Sequence, residues 1–281
     1  MAAPPTRYPA PLFASARRVF DLSLGQMLWS RRTVLLGILV GGPVVLSCAI
    51  RIIWSLDFLP PRMRGGPQFG GEALFGLMMW LLYIRFIVPV LGVFYGTSLI
   101  ADEVDDKTIT FLFTRPIQRA SVLLGKYAAY LVCTTLIVLP SAVMVYYLVV
   151  PIRGGSVGAA FPALVADLGM LLIGLASYGA LFGLVGARIK RPLVVGLVFA
   201  FGWEPGALLL PGYLKRLTVA YYLQALVPHS MPDDSAASLL LRIVTDVPSL
   251  ATSLLALATV TTAAVWLAGR AVNRREYVVE Q

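Results

Sequence analysis

Residues 127–150 read YAAYLVCTTLIVLPSAVMVYYLVV, a stretch without one charged side chain. As an α-helix rising about 1.5 Å per residue it is about 36 Å long, enough to cross the roughly 30 Å of hydrocarbon in a bilayer. Its few Tyr, Thr and Ser residues are spread round the helix, so it presents no polar face to water. Five more stretches of this kind lie at 33–54, 82–101, 163–187, 192–210 and 248–269, the second with an apolar lead-in from Ala73. The chain of 281 residues is 58% apolar and 13% charged, where a soluble domain carries about 25% charged residues. With a mean hydropathy of +0.82, this composition excludes a disordered chain, a collagen-like repeat and a soluble enzyme built on one core. It predicts an all-α polytopic membrane protein with six transmembrane helices.

The formal net charge of +9 is first a matter of topology. With the N-terminus inside, Arg7, Arg17, Arg18, Arg31, Arg32, Lys107, Arg115, Arg119, Lys126, Arg188, Lys190, Arg191, Arg270, Arg274 and Arg275 fall on cytoplasmic segments, 15 of the 23 basic residues. The outer loops hold Arg62, Arg64, Arg153, Lys215, Arg216 and Arg242. That bias places both termini in the cytoplasm and removes the need for a nucleic-acid partner. Residues 1–32 form an N-terminal segment whose Phe13, Ala16, Phe20, Leu24 and Met27 recur at helical spacing among Arg17, Arg18 and Gln26. This predicts an amphipathic helix on the inner membrane surface, in contact with lipid. Cys48 and Cys133 fall at different depths of their spans, so they form no disulfide and are expected to be buried. The lone His229 and the absence of any Cys/His cluster give no reason to expect a metal site.

One inner loop differs from the rest. It runs Asp102-Glu103-Val104-Asp105-Asp106-Lys107-Thr108-Ile109-Thr110-Phe111-Leu112-Phe113-Thr114-Arg115-Pro116-Ile117-Gln118-Arg119 and continues to Gly125-Lys126. Four acids at the start suit the positive end of a short helix. Val104, Thr108, Phe111 and Leu112 share a face, and Pro116 ends the element. The pattern predicts a short amphipathic helix over 102–113, parallel to the membrane and anchored to a span at either side.

An acid, then Lys-Thr, an apolar run, Pro-Ile-x-Arg and a later Gly-Lys resemble the coupling helix of permease subunits of exporter-type ATP-binding-cassette (ABC) transporters. The close match covers 102–126, and the layout of six spans after an interfacial helix agrees. The resemblance implies a multi-pass permease domain over 33–281 in a bacterial plasma membrane, without catalytic residues of its own. A separate cytoplasmic ATPase would bind ATP and Mg²⁺ and dock on Asp102, Glu103, Asp105, Lys107, Thr108, Phe111, Leu112, Arg115, Pro116 and Arg119. Many relatives have Gly at position 107. The residues fit that division of labour: Ala120 stands where a phosphate-binding loop needs its first Gly, and Tyr127 where it needs Ser or Thr. Two other readings stay open. Asp102, Asp105 and Asp106 resemble the Mg²⁺-binding carboxylates of a membrane prenyltransferase, although Asp233, Asp234 and Asp246 fall on the outer side, and the topology also suits a scaffold that transports nothing.

Arg51, Arg85, Asp167 and Glu204 are charges at membrane depth, costly and therefore candidates for an outer gate or substrate path. Counted from the predicted span ends, all four fall in the outer half. Small residues four apart at Gly37/Gly41, Gly92/Gly96 and Gly179/Gly183 allow close helix packing. By resemblance the first and fifth spans face a second permease copy, or a related permease, which makes Gly37 and Gly41 the dimer candidates. The outer loop 211–247, with Tyr213, Lys215, Arg216 and Tyr221, predicts short helices at the outer interface.

Overall fold

The computed structural model describes residues 12–56, 70–100, 119–209, 213–227 and 248–274, and among these every regular element is helical. In chain order they are α1 (Leu12–Leu28), α2 (Arg31–Ser55), α3 (Gly71–Ile100), α4 (Arg119–Val149), α5 (Val157–Arg188), α6 (192–209), α7 (Val219–Gln224) and α8 (Leu250–Arg274). Five are long and apolar enough to span a bilayer, whereas the apolar part of α6, Pro192–Ala207, is shorter. Capping marks several starts: Ser30, Ser156 and Thr218 accept from the backbone N–H of Thr33, Ala159 and Tyr221.

The stretch 127–150 forms the outer three-quarters of α4, which continues inward to Arg119. The structure corrects the second span, for which 82 was the expected outer boundary. The helix begins at Gly71, where an added Cβ would lie 2.3 Å from the Val150 carbonyl. Of its most apolar window 61% is buried, against 22% for α2 and 17% for α8. α3 and α5 therefore form the centre, and α2 and α8 are peripheral.

The central contact follows from small residues. A Cβ on Gly92 would meet the Tyr178 Cβ at 2.7 Å, and one on Gly96 the Phe182 Cβ at 2.9 Å. In return Gly179 leaves room for Tyr130, whose ring lies 2.0 Å from where that Cβ would be. Tyr130 and its stacked neighbour Tyr127 donate hydroxyl hydrogens to the Leu175 and Ala176 carbonyls at 2.9 and 2.8 Å. Ser141 ties three helices, donating to the Val40 carbonyl at 2.9 Å and pairing with the Tyr83 hydroxyl at 2.6 Å.

Prolines shape two helices. Pro89 has no N–H for the carbonyl four residues back, and the turn before it widens: Val88 N–H bonds to the Tyr83 carbonyl, five residues earlier. Met79–Ile87 is π-helical, as is Gly92–Gly96. Pro205 acts likewise on α6, where Glu204 N–H bonds to the Phe199 carbonyl and Phe199–Trp203 is π-helical.

α1 forms where its apolar spacing predicts, and it lies along α4. It docks through small residues, with Ser15 and Ser23 buried and Ala16 and Val19 against Gly125. Phe13 and Trp29 are left exposed, at 84% and 92%. Cys133 is buried as expected; Cys48 is not, because it sits on the face of α2 that points away from the bundle.

Gly179→Val should destabilise the detergent-solubilised protein by about 1–3 kcal/mol, since the Tyr130 ring would have to move. Gly42→Ala, at a position where an added Cβ meets nothing within 4 Å, should leave the thermal unfolding midpoint unchanged or raise it. Thermal scans of both variants beside the parent check the contrast.

Candidate functional site in the membrane core

The charges at membrane depth do not form one cluster. Arg51 is exposed and donates to the Leu148 carbonyl at 3.4 Å, which places a cation at the C-terminal end of α4. Asp167 is buried on α5, eleven residues before Tyr178 and therefore about 16 Å from its level along the helix axis. The remaining two lie at similar depth on neighbouring parts of the bundle, without a direct ion pair between them. Because α3 starts at Gly71, Arg85 stands at the middle of that helix, about 21 Å from Gly71 at the outer end and about 22 Å from Ile100 at the inner end. Glu204 lies at a similar depth, about 18 Å along α6 from Pro192.

Glu204 is 3% exposed and is held on both sides. Its Oε2 accepts from the hydroxyl of Tyr178, itself fully buried on α5. Its Oε1 accepts from the backbone N–H of Val219 at 3.1 Å, and the Ala220 amide bonds to the carboxylate as well. A carboxylate on α6 thus satisfies the first two amides of α7, groups that no helix can satisfy internally. Thr218 takes the third, Tyr221 N–H, at 3.3 Å.

Arg85 is half-buried with its guanidinium 4.6 Å from the centroid of Trp80, a cation–π contact on its own helix. It is also coulombically coupled to Glu204 and Tyr178. The site is therefore an Arg, a Glu, a Tyr and a Trp from three helices, with the backbone of a fourth. Among the described residues no group of three or more His, Cys, Asp or Glu could hold a metal ion; these four side chains can fix positions and transmit charge. Tyr178, Trp80 and Val219 escape a reading based on charge alone. A usable signal was present: Arg85 precedes Pro89 by one helical turn and Glu204 directly precedes Pro205, so both charges sit at widened turns.

The glycine pairs separate cleanly. Gly92, Gly96, Gly179 and Gly183 are filled by this chain's own side chains, whereas Gly37 and Gly41 have nothing within 4 Å of an added Cβ. The predicted docking residues Asp102, Glu103, Asp105, Lys107, Thr108, Phe111, Leu112, Arg115 and Pro116 lie outside the described residues. Arg119 opens α4.

Comparison with known families gives a match to the ABC-2 family transporter protein over residues 20–268. The chain belongs to that family. A comparison with curated proteins gives no match. The ABC-2 assignment makes this a permease subunit of an ABC transporter, and the family implies a partner ATPase. In this ABC-2 permease the match includes α2 to α7, and with them all four membrane charges and both Gly37 and Gly41.

Tyr178→Phe should cost about 1–3 kcal/mol, because it removes a donor from a buried carboxylate. Arg51→Gln, at an exposed position, should stay within about 0.5 kcal/mol of the parent. Denaturation in detergent, followed by tryptophan fluorescence, tests both.

Proposed function

We propose that this permease works as a dimer, or as a pair with a related permease, exporting a substrate with energy from two cytoplasmic ATPase subunits. The observation that carries the proposal is the inner loop 102–119, in which four acids, four apolar face residues and Pro-Ile-x-Arg lie between α3 and α4 in a chain of the ABC-2 family. The partner would bind ATP and Mg²⁺. This chain's residues would do the mechanical part: Glu103, Thr108, Phe111, Leu112 and Arg115 receive the ATPase surface, and Pro116 transmits its displacement to α4. An external ligand moves a two-state protein only by its difference in affinity for the two states. ATP-driven closure of the ATPase pair would supply that difference at this loop.

The open face of α2 at Gly37 and Gly41 supports a second copy as its neighbour. An added Cβ there meets nothing of this chain, and the peripheral burial of α2 leaves its outer side available. The inner excess of Lys and Arg supports both termini inside, and the resemblance to exporter permeases supports a bacterial plasma membrane.

Affinity purification from native membranes, followed by an ATP hydrolysis assay, tests the proposal. Glu103→Ala and Phe111→Ser should leave the permease folded and membrane-inserted while the co-purified ATPase falls about tenfold or more, a loss of about 1.4 kcal/mol of binding. ATPase recovery equal to the parent in both variants would sink the docking assignment, and a parent that brings down no ATPase at all would favour a scaffold. Separately, Gly37→Leu/Gly41→Leu should shift the detergent-solubilised protein from dimer to monomer by light scattering, with little change in thermal midpoint.

A further inference from the structure

α7 is six residues long and lies on the outer side of the chain by span order, with Val219, Ala220, Tyr221 and Leu223 buried. A helix of this length is marginal alone and needs its ends fixed by partners. Its first two amides bond to the carboxylate of Glu204, fifteen residues earlier and in the apolar part of α6. The carboxylate is in turn fixed by Tyr178 of α5. One ionisable side chain therefore joins the Thr218 cap in fixing where the outer helix begins.

α7 also packs against the segment of α3 that carries Arg85, and Arg85 feels the field of the same carboxylate. Arg85 lies in the π-helical segment Met79–Ile87 of α3, and α3 runs inward to Ile100, where the loop 101–118 starts. A guanidinium at this depth is held by its surroundings: the Trp80 face and the field of Glu204. Both members of the pair stand beside proline-widened turns, where a helix changes register more easily than in a regular α segment.

We propose that Glu204 is a positioning residue that fastens α7 to the membrane core, and that Arg85 ties this fastening to α3. A displacement of α3 at its cytoplasmic end would then reach the outer helix within one chain, without passing through the contact between protomers. The inference rests on the ATPase-driven reading above and adds that the push on residues 102–113, which follow the inner end of α3, moves α3 as well as α4.

The test uses the complete complex with its ATPase in proteoliposomes. The permease carries Cys48→Ser to remove the exposed thiol and Gln224→Cys at the end of α7 as reporter. The measurement is the rate of labelling by a membrane-impermeant maleimide, without nucleotide and after trapping with ATP, Mg²⁺ and vanadate. In the parent the two rates should differ by about fivefold or more, the lower end of ordinary coupling between sites.

Glu204→Gln keeps an acceptor for the Val219 amide and removes the charge; Arg85→Gln removes the other charge. Each should abolish the difference between the two states, and the double variant should behave like either single one, since the two act as a unit. Glu204→Ala should label fast in both states. If Glu204→Gln and Arg85→Gln respond to nucleotide as the parent does, Glu204 is a structural staple only and the inference fails. It fails equally if the parent complex hydrolyses ATP while its two labelling rates are the same. A parent complex without ATP hydrolysis overturns the ATPase-driven reading itself.

Discussion

Inside hydrocarbon no water is available to a backbone N–H or C=O, and the π-helical turns before Pro89 and Pro205 are resolved under that constraint. Pro89 and Pro205 each deprive a carbonyl of its donor, and the chain responds by widening to i→i−5 bonding and not by unwinding. Side-chain hydroxyls are absorbed in the same way. Thr259 and Thr262 return to the Leu255 and Ala258 carbonyls at 2.7 Å, and Ser177 pairs with Thr261 across α5 and α8 at 3.0 Å. Tyr127 and Tyr130 bring hydroxyls to carbonyls that already accept a helical bond, using their second lone pair.

The constraint also explains why the buried charges are where they are. A lone carboxylate in the apolar part of α6 would be costly, but one that accepts from a tyrosine and from two amides stands in for the water those amides would otherwise need. The beginning of α7 and the placement of the Glu204 side chain thus support each other. Arg85 gains less from hydrogen bonding and more from the Trp80 face and the opposite charge nearby. Arg51, by contrast, meets the end of α4.

Much of this was legible in the residues. Runs of apolar side chains located the long helices, because a span needs continuous hydrophobicity whatever its neighbours are. The spacing of Phe13, Ala16, Phe20, Leu24 and Met27 located α1. Its docking face was less legible, since Ser15 and Ser23 look solvent-facing in the sequence and are buried in the structure, while Gly125 of α4 lets Ala16 and Val19 approach closely. The start of α3 was hidden for a related reason: Gly71 reads as a breaker, yet here it is the residue that lets the helix approach the Val149 and Val150 carbonyls. Among the four membrane charges, sequence distance could give approximate depths but not azimuth, so Asp167 and Arg51 could not be separated from Arg85 and Glu204. Which glycine pairs face inward is likewise a matter of rotation about the helix axis, and only the packed bundle decides it.

The shortness of α6 has a consequence for the surrounding bilayer. Its apolar part, Pro192–Ala207, rises about 24 Å, roughly 6 Å less than a typical hydrocarbon core. Leu193, Val194, Val195, Val198, Phe201 and Trp203 on that helix are exposed in the single chain. Lipid meeting this flank must thin locally, and hydrophobic mismatch of that kind costs a fraction of a kcal/mol for each ångström. A neighbour that covers α6 removes the cost. The short span would therefore make the thickness of the host membrane a variable in assembly, with thicker bilayers favouring concealment of this flank and thinner ones tolerating its exposure.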